Sequence, residues 1–279
     1  MSLELCILAS GSSGNAALLR SPAGVVLIDI GIGPRTCARR LTGTGVTLAD
    51  ISAVCLTHLD SDHFNANWIK TLIRQNIGLF CHVDRIEQIL RSAATLSDEL
   101  QRLIQPFETS PFSPLPGLGF DPIHLAHDRL GSHGFVIEGF DYRIGYATDL
   151  GRVPAYLIER FGNVDLLAIE SNYDPRMQEE SPRPFFLKQR IMGGNGHLSN
   201  AQALAAIKQI LDRSPRLPDH IVLLHRSRDC NCPKLLRKFF SKDARIAPRL
   251  ILAEQFERSP WLRRRSHSPA CGEQLMLAF

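Results

Sequence analysis

Short apolar runs alternate along the chain with segments in which apolar residues recur at helical spacing. Such runs are typical of buried strands, and they occupy residues 3–9, 25–29, 51–57, 165–170, 221–224 and 250–253. Helical spacing marks residues 34–41, 154–161 and 199–211. Strands and helices that alternate in two halves of similar size predict two mixed sheets packed face to face, with helices outside.

Turns are predicted where Gly, Ser, Asn and Asp separate these elements. Residues 10–15 favour a tight hairpin turn, and a second hairpin is expected around residues 135–146. Residues 106–122 are rich in Pro and Gly, so we expect an irregular loop or a strand entry there. We predict one domain over residues 1–262 and a basic tail over residues 263–279, in which residues 274–279 add an edge strand or dock onto the body.

One strand leads directly into a cluster of potential metal ligands. After the apolar run 51–57, the sequence places His58, Asp60, Asp62 and His63 within six residues. Imidazole nitrogens and carboxylate oxygens together suit zinc, manganese or iron. Four such ligands are too many for one catalytic metal that keeps an open position, so the cluster predicts a pair of metal ions. The alternative is a polar turn whose aspartates cap the following helix.

This H-x-D-x-D-H arrangement resembles the H-x-H-x-D-H signature of the metallo-β-lactamase fold superfamily. The sequences at 10–15 and 196–200 are similar to those of its YycJ (WalJ) branch, whose members are described as DNA exonucleases. The likeness spans residues 3–261 and implies a four-layer αββα sandwich of two mixed β-sheets with helices on the outer faces, an α/β fold. Asp60 stands where the superfamily has its second His, as in the nuclease-like domain of bacterial DNA-uptake channels, and implies a harder, more oxygen-rich metal site.

The resemblance also implies the remaining ligands. His127, Asp149 and His225 stand where strand-like runs end and match family ligands by position. It follows that one metal is held by His58, Asp60 and His127, the other by Asp62, His63 and His225, with Asp149 bridging them. Other roles remain open for these residues, because His124 and His133 compete with His127, Asp149 could cap a turn, and His225 could be a strand-end histidine.

Two divalent ions about 3.5–4 Å apart would lower the pKa of a bridging water and supply a hydroxide for attack on a phosphodiester. We expect Asp62 and His197 to be catalytic, with His197 protonating the leaving oxygen. It precedes a Ser199-capped helix whose N-terminus favours phosphate. The turn at 10–15 is either an ordinary hairpin or a phosphate contact. The substrate-binding candidates are Ser12, Asn15, Lys188, Arg190, Ser199 and Asn200.

Composition limits the compartment and the partners. The formal charge of +4 is compatible with a nucleic acid held locally, but it is too small for a protein that coats DNA. Seven scattered cysteines form no disulfide framework, which predicts a reducing, cytoplasmic location, and the Cys230-x-Cys232 pair is expected to be structural. No apolar stretch approaches the ~18 residues that would span a membrane.

These observations predict a metal-dependent phosphodiesterase that hydrolyses DNA, an exonuclease with two divalent ions per chain (zinc or manganese, or else iron). A hydrolase of a small ester, thioester or cyclic phosphate is the alternative on the same scaffold. A third hypothesis is a nucleic-acid-binding relative that has lost its metals through the change at Asp60. No obligatory protein partner is evident, and the sequence leaves the oligomeric state open.

Overall fold

The computed structural model describes residues 2–265, and within this range the strands form one sheet of six and one of seven. Strands β1 to β6 lie side by side in chain order, at Glu4–Ala9, Ala16–Ser21, Gly24–Ile28, Ile51–Cys55, Gly78–His82 and Ile104–Phe107. The pairs from β1 to β3 are antiparallel, whereas β3 to β6 run parallel. The hairpin expected around residues 10–15 is therefore confirmed.

The second sheet contains seven strands, again in chain order. Strands β7 to β13 lie at Phe112–Leu115, Leu118–Leu125, Ser132–Gly139, Tyr142–Ala147, Leu166–Glu170, His220–Leu224 and Leu250–Leu252. The strands from β7 to β10 form an antiparallel meander, and β10 to β13 are parallel. Both sheets thus pass from antiparallel to parallel pairing, and the hairpin expected at 135–146 is confirmed.

Of the two alternatives predicted for residues 106–122, the irregular loop is wrong for most of this stretch and the strand entry agrees with the structure. The stretch contains the end of β6, all of β7 and the first half of β8. Strand β7 is the outermost of its sheet, where proline is tolerated because no ladder hydrogen bond is lost. Gly117, at φ 73°, makes the turn between β7 and β8. The prolines and glycines mark an edge strand and its turn.

Helices cover the outer face of each sheet. Helices α1 to α4 (Pro34–Leu41, Ile69–Gln75, Ile86–Ala93 and Ser97–Gln101) accompany the first sheet. Helices α5 to α9 (Ala155–Arg160, Pro175–Glu180, Phe185–Met192, Asn200–Asp212 and Pro233–Phe240) accompany the second. The predicted capping box of Ser199 and Gln202 is present at the start of α8. Helices α6 and α7, which the sequence did not reveal, pack on a small apolar cluster of their own.

Three apolar layers explain why so many strands are uninterrupted hydrophobic runs. In β1, Leu5 and Ile7 face the core between the two sheets, while Cys6 and Leu8 face the core beneath the helices. A third core lies between the second sheet and α5, α8 and α9. Strands buried on both faces need apolar residues at every position. The αββα sandwich expected from the sequence is confirmed.

The described chain ends beside its beginning, where Leu262 forms a β-bridge with Leu5. The edge strand proposed for residues 274–279 lies outside the described residues, and the domain boundary at 262 remains a prediction. Six cysteines of the described part are free thiols. Within residues 2–265, no helix combines the length and the apolar character needed to cross a bilayer. The cytoplasmic location stays a prediction.

Candidate metal centre

The site lies where parallel strands end. Strands β3, β10, β11 and β12 each place a polar side chain at or just beyond their carboxyl ends, namely Asp29, Asp149, Glu170 and His225. Asp29, Asp149 and His225 adopt left-handed backbone conformations, with φ of 61°, 52° and 51°. Such conformations cost of order 1–3 kcal/mol each outside glycine, and they concentrate at functional sites. The abrupt turns let residues that follow straight strands point into one pocket.

The segment 57–63 after β4 is held by backbone hydrogen bonds from two sides. The amide of Asn15 donates to Asp62 O at 2.7 Å, and the amide of Ile30 donates to His63 O at 2.9 Å. Gly31 passes so close that a Cβ at this position would lie 1.7 Å from Asp62 O. The alternative of a polar turn that merely caps a helix does not explain these contacts, because α2 begins only at Ile69.

The first group of potential ligands is His58, Asp60 and His127, and it offers three atoms within 4.8 Å of one another. His127 Nε2 lies 3.5 Å from Asp60 Oδ2, while its Nδ1 is hydrogen-bonded to Gly196 O at 2.9 Å. His58 Nε2 is buried and has no hydrogen-bond partner within the described residues. A buried imidazole nitrogen without a partner is costly, and a cation beside it would remove that cost.

The second group is Asp62, His63 and His225. His225 Nε2 lies 3.2 Å from Asp62 Oδ2, and His63 Nε2 lies 3.8 Å from the same oxygen. Asp149 stands between the groups, with Oδ2 at 2.8 Å from His63 Nε2 and Oδ1 at 3.5 Å from His225 Nε2. It also forms a third group with His58 and His63. The structure thus brings all seven proposed ligands together.

The environment of His63 is also suited to a cation. Its Nδ1 lies 2.8 Å from Asp29 Oδ2, and its Nε2 lies 2.8 Å from the side-chain nitrogen Nδ2 of Asn15. A proton on Nδ1 suits the Asp29 carboxylate and leaves Nε2 with its lone pair. That lone pair then faces the carboxylate of Asp149, so a positive charge is needed between them. Asp29, a buried carboxylate at the end of β3, therefore orients His63.

The carboxylates dominate the electrostatics of the pocket. Burial opposes charge on His63, but Asp149 and Asp29 outweigh it and raise the pKa of His63 well above its usual value. Asp60 and Asp149 likewise raise the pKa of His127 to about 9 against the effect of burial. His58 behaves in the opposite way, because burial and the neighbouring imidazole of His63 hold its pKa well below the usual range. The carboxylates favour a positive charge in the pocket, and the neutral imidazole of His58 can act as a ligand. Both properties fit a site for divalent cations.

Glu170 is a functional candidate that the sequence analysis missed. It is completely buried, and its Oε1 lies 2.7 Å from His197 Nδ1 and 3.3 Å from His225 Nδ1. Its Oε2 accepts hydrogen bonds from the amides of Leu150 and Leu198, both at 3.1 Å. A carboxylate at the end of an apolar strand was the available signal. Glu170 joins a proposed catalytic residue to a proposed ligand.

A cavity of about 290 Å³ opens beside Asp60 and His127, and only some of the substrate-binding candidates line it. Ser12, Arg190 and His197 line it, together with Arg183 and Ser227, which the sequence did not suggest. The other candidates face elsewhere. Asn15 is buried beside His63, Lys188 donates to Glu179 O, Ser199 caps α8, and Asn200 belongs to a buried network with Ser171 and Asn231.

The hairpin turn at 10–15 has few amides left for a phosphate. The amides of Gly11, Ser13, Gly14 and Asn15 all donate to acceptors within the protein. This favours the ordinary hairpin, from which the Ser12 side chain faces the cavity.

Comparison with known proteins assigns the family. Residues 25–225 match the family model of the beta-lactamase superfamily domain, which is more than half of the chain. The chain belongs to this superfamily. Exodeoxyribonuclease WalJ of Streptococcus pneumoniae serotype 2 (strain D39) is 28% identical over 233 residues, 82% of this chain and 83% of WalJ. Exodeoxyribonuclease YycJ of Bacillus anthracis is 22% identical over 243 residues, 87% and 89% of the two chains.

A solved structure supports the same fold. The metallo-beta-lactamase fold protein YhfI of Bacillus subtilis superposes with a TM-score of 0.67 at 15% identity, covering 93% of this chain and 100% of YhfI. The resemblance drawn from the sequence motifs is thereby confirmed. The chain is a hydrolase of the metallo-β-lactamase fold, a fold that implies divalent metal ions.

Proposed function

We propose that the chain is a metal-dependent exodeoxyribonuclease with two divalent ions. The observation that carries the proposal is the convergence of seven His and Asp side chains on one pocket, in which His58 Nε2 is buried without a partner. His58, Asp60 and His127 would hold one ion, Asp62, His63 and His225 the other, and Asp149 would lie between them. When bound, such ions make a water nucleophilic near neutral pH and neutralise charge on a phosphate.

The residues around the ions have separate tasks. Asp62 Oδ2 lies 3.2 Å from His225 Nε2, so this oxygen faces the proposed ion, and the other oxygen of the carboxylate would accept a proton from the attacking water. His197 lines the cavity, and its Nδ1 is held by the Glu170 carboxylate at 2.7 Å. This leaves Nε2 to deliver a proton to the leaving oxygen, while Glu170 stabilises the charged imidazole. Asp62 would thus take a proton and His197 would give one during in-line displacement.

Two observations favour DNA as the substrate. WalJ and YycJ, which resemble this chain over most of its length, are named exodeoxyribonucleases. The cavity also presents two guanidinium groups, Arg183 and Arg190, beside Asp60 and His127. Guanidinium groups bind phosphate through paired hydrogen bonds. Phosphate contacts of this kind hold a strand without reading its sequence.

The test is release of nucleotides from end-labelled linear duplex DNA in manganese or zinc. We expect the wild-type chain to shorten the linear DNA and to leave a covalently closed circle intact. Asp62→Ala and His63→Ala should abolish release, whereas His124→Ala, outside the cavity, should not. Elemental analysis should find two metal ions per wild-type chain. Cutting of the closed circle would contradict an exonuclease, and an intact linear duplex would contradict a DNA nuclease.

The size of the cavity favours one alternative. At about 290 Å³ it lies at the lower end of the range for small-molecule sites. A small ester, thioester or cyclic phosphate would fit inside this cavity and would need no contact with the protein surface around it. Turnover of such compounds by a chain that leaves DNA intact would support this second candidate.

A further inference from the structure

Helix α7 exposes two adjacent phenylalanines beside the cavity. Phe185 is 74% exposed and Phe186 is 72% exposed, the highest values among the large apolar residues of the part that the structure describes. Neighbouring large apolar side chains left in water commonly mark a binding surface. The same helix contributes Leu187, Arg190 and Ile191 to the lining of the cavity.

The helical repeat places the two phenylalanines on different sides of α7. Residues four apart on a helix are surface neighbours, so Phe186 lies next to Arg190 at the rim of the cavity. Phe185 instead lines a separate shallow groove with Lys188, Gln189 and Met192. One aromatic ring therefore stands beside the proposed active site, and the other faces away from it.

Positive charge accompanies the aromatic ring at this rim. Arg190 is exposed and forms no ion pair with any residue between 2 and 265. Arg183 lines the same cavity, and its guanidinium is held by Gln178 Oε1 at 3.2 Å and Asp229 Oδ2 at 3.1 Å. An aromatic face beside guanidinium groups is the combination that binds single-stranded nucleic acid, because bases stack on the ring while cations follow the phosphates.

We propose that Phe186 is a stacking platform for an unpaired base at the end of a DNA strand, with Arg190 contacting the phosphate next to that base. The inference rests on the proposed exodeoxyribonuclease function, and it names the form of the substrate: a strand end whose bases are free. Phe186 and Arg190 are four residues apart, slightly more than one helical turn, which is about 6 Å along the axis.

The occupant follows from the difference between the two rings. A protein partner or a second copy of the chain that covered α7 would bury Phe185 and Phe186 alike. A nucleic acid strand leading into the cavity would contact only Phe186, because Phe185 lies on the far side with Lys188. The two phenylalanines, equal in exposure and adjacent in sequence, therefore provide a matched pair of variants.

The experiment compares Phe186→Ala with Phe185→Ala on linear duplexes carrying a single-stranded overhang. We expect Phe186→Ala to raise KM about tenfold with little change in kcat or metal content, as loss of one stacked base implies. Phe185→Ala should match the wild type. Phe186→Trp should restore KM, whereas Phe186→Leu, which is apolar but not aromatic, should not.

A binding measurement separates stacking from turnover. With EDTA present and 2-aminopurine as the terminal base of the overhang, the wild type should quench the fluorescence and Phe186→Ala should not. Equal effects of the two alanine variants, or rescue by leucine, would overturn the proposal in favour of protein docking. If the wild type releases no nucleotide, the proposed function fails, and the quenching result alone then decides whether Phe186 binds a base.

Discussion

Asp29 Oδ2 lies 2.8 Å from His63 Nδ1, and both side chains are completely buried. The same carboxylate accepts hydrogen bonds from the backbone amide and the hydroxyl of Thr57, which directly precedes His58. Asp29 thus connects the end of β3 to both ends of the segment that carries four of the proposed ligands. Because its partner takes Nδ1, His63 can offer only Nε2 to a metal.

Asp29→Asn should weaken metal binding without removing a ligand. The amide keeps an oxygen for the Thr57 amide proton but loses the charge that orients His63, so we expect affinity to fall about 10–100-fold. Competition with a chromophoric chelator measures this. Asp50→Asn, at an exposed capping box, is the control and should bind metal normally. Unchanged affinity in Asp29→Asn would show that the contact does not orient a ligand.

Glu170→Gln should reduce kcat through His197. The substitution preserves size and hydrogen bonding to the Leu150 and Leu198 amides, but it removes the negative charge beside His197 Nδ1. We expect kcat to fall about 10–100-fold, within the range of general acid–base catalysis. If the two residues act as a unit, Glu170→Gln in a His197→Ala background should have little further effect. Additive losses, measured at equal metal content, would contradict this coupling.

Gly31→Ala should disrupt the ligand segment. The new methyl group would stand 1.7 Å from Asp62 O and 2.7 Å from the backbone nitrogen of Asn15. The backbone of these neighbouring segments must therefore move. We expect a loss of about 3 kcal/mol or more in unfolding free energy, at or above the usual range for overpacking. Gly33→Ala is the matched control, since its methyl would meet only Asn65 Nδ2, at 3.7 Å. Equal denaturation midpoints for the two variants would contradict the crowding.

His133 should make the fold sensitive to acid. Burial first, then the neighbouring His82, His124 and Arg85, lower its pKa to about 3. In the unfolded chain His133 takes up a proton near pH 6.5, whereas in the folded chain it stays neutral down to about pH 3. The contribution of this residue to the unfolding free energy is therefore complete above pH 6.5 and falls as the pH drops towards 3.

The variant His133→Phe isolates this contribution. At pH 5 the wild type should have lost about 2 kcal/mol of unfolding free energy through this residue, at 1.36 kcal/mol per pH unit. The phenylalanine variant, whose ring takes the same place against His82, should lose correspondingly less. Urea denaturation of both proteins at pH 5 and pH 8 measures the difference. Parallel losses in the two proteins would show that His133 does not titrate in this range.

Local signals were sufficient for most of the elements. Strands such as β4 and β12 are buried along most of their length, so apart from Ser52 and His220 their residues are apolar and easy to recognise. Pro114 in β7 and the prolines that flank this strand misled the prediction, because an edge strand tolerates a residue that an inner strand excludes. Helix α7 was missed because its apolar residues are divided between the cavity, a small core and solvent, which leaves no clear periodicity.

Arg183, in the cavity wall, had no signal in the sequence, because its place depends on Gln178 and Asp229. For Lys188 and Arg190 the sequence identified the residues but not the directions of their side chains. Both were candidates for substrate contact, but the helical repeat turns Lys188 towards Glu179 and leaves Arg190 at the cavity. Two positions along a helix differ by more than half a turn, and nothing in the composition records which side faces the site.

The sequence alone determined the types of most elements and the presence of a ligand-rich segment after β4, since both depend on residues close together in the chain. The family resemblance added His127, Asp149 and His225. Only the tertiary structure decided which groups face each other, such as Asp29 on His63 and Glu170 on His197. Those relationships arise because parallel strands from two sheets end at one edge, and contacts between residues far apart in sequence leave no local pattern.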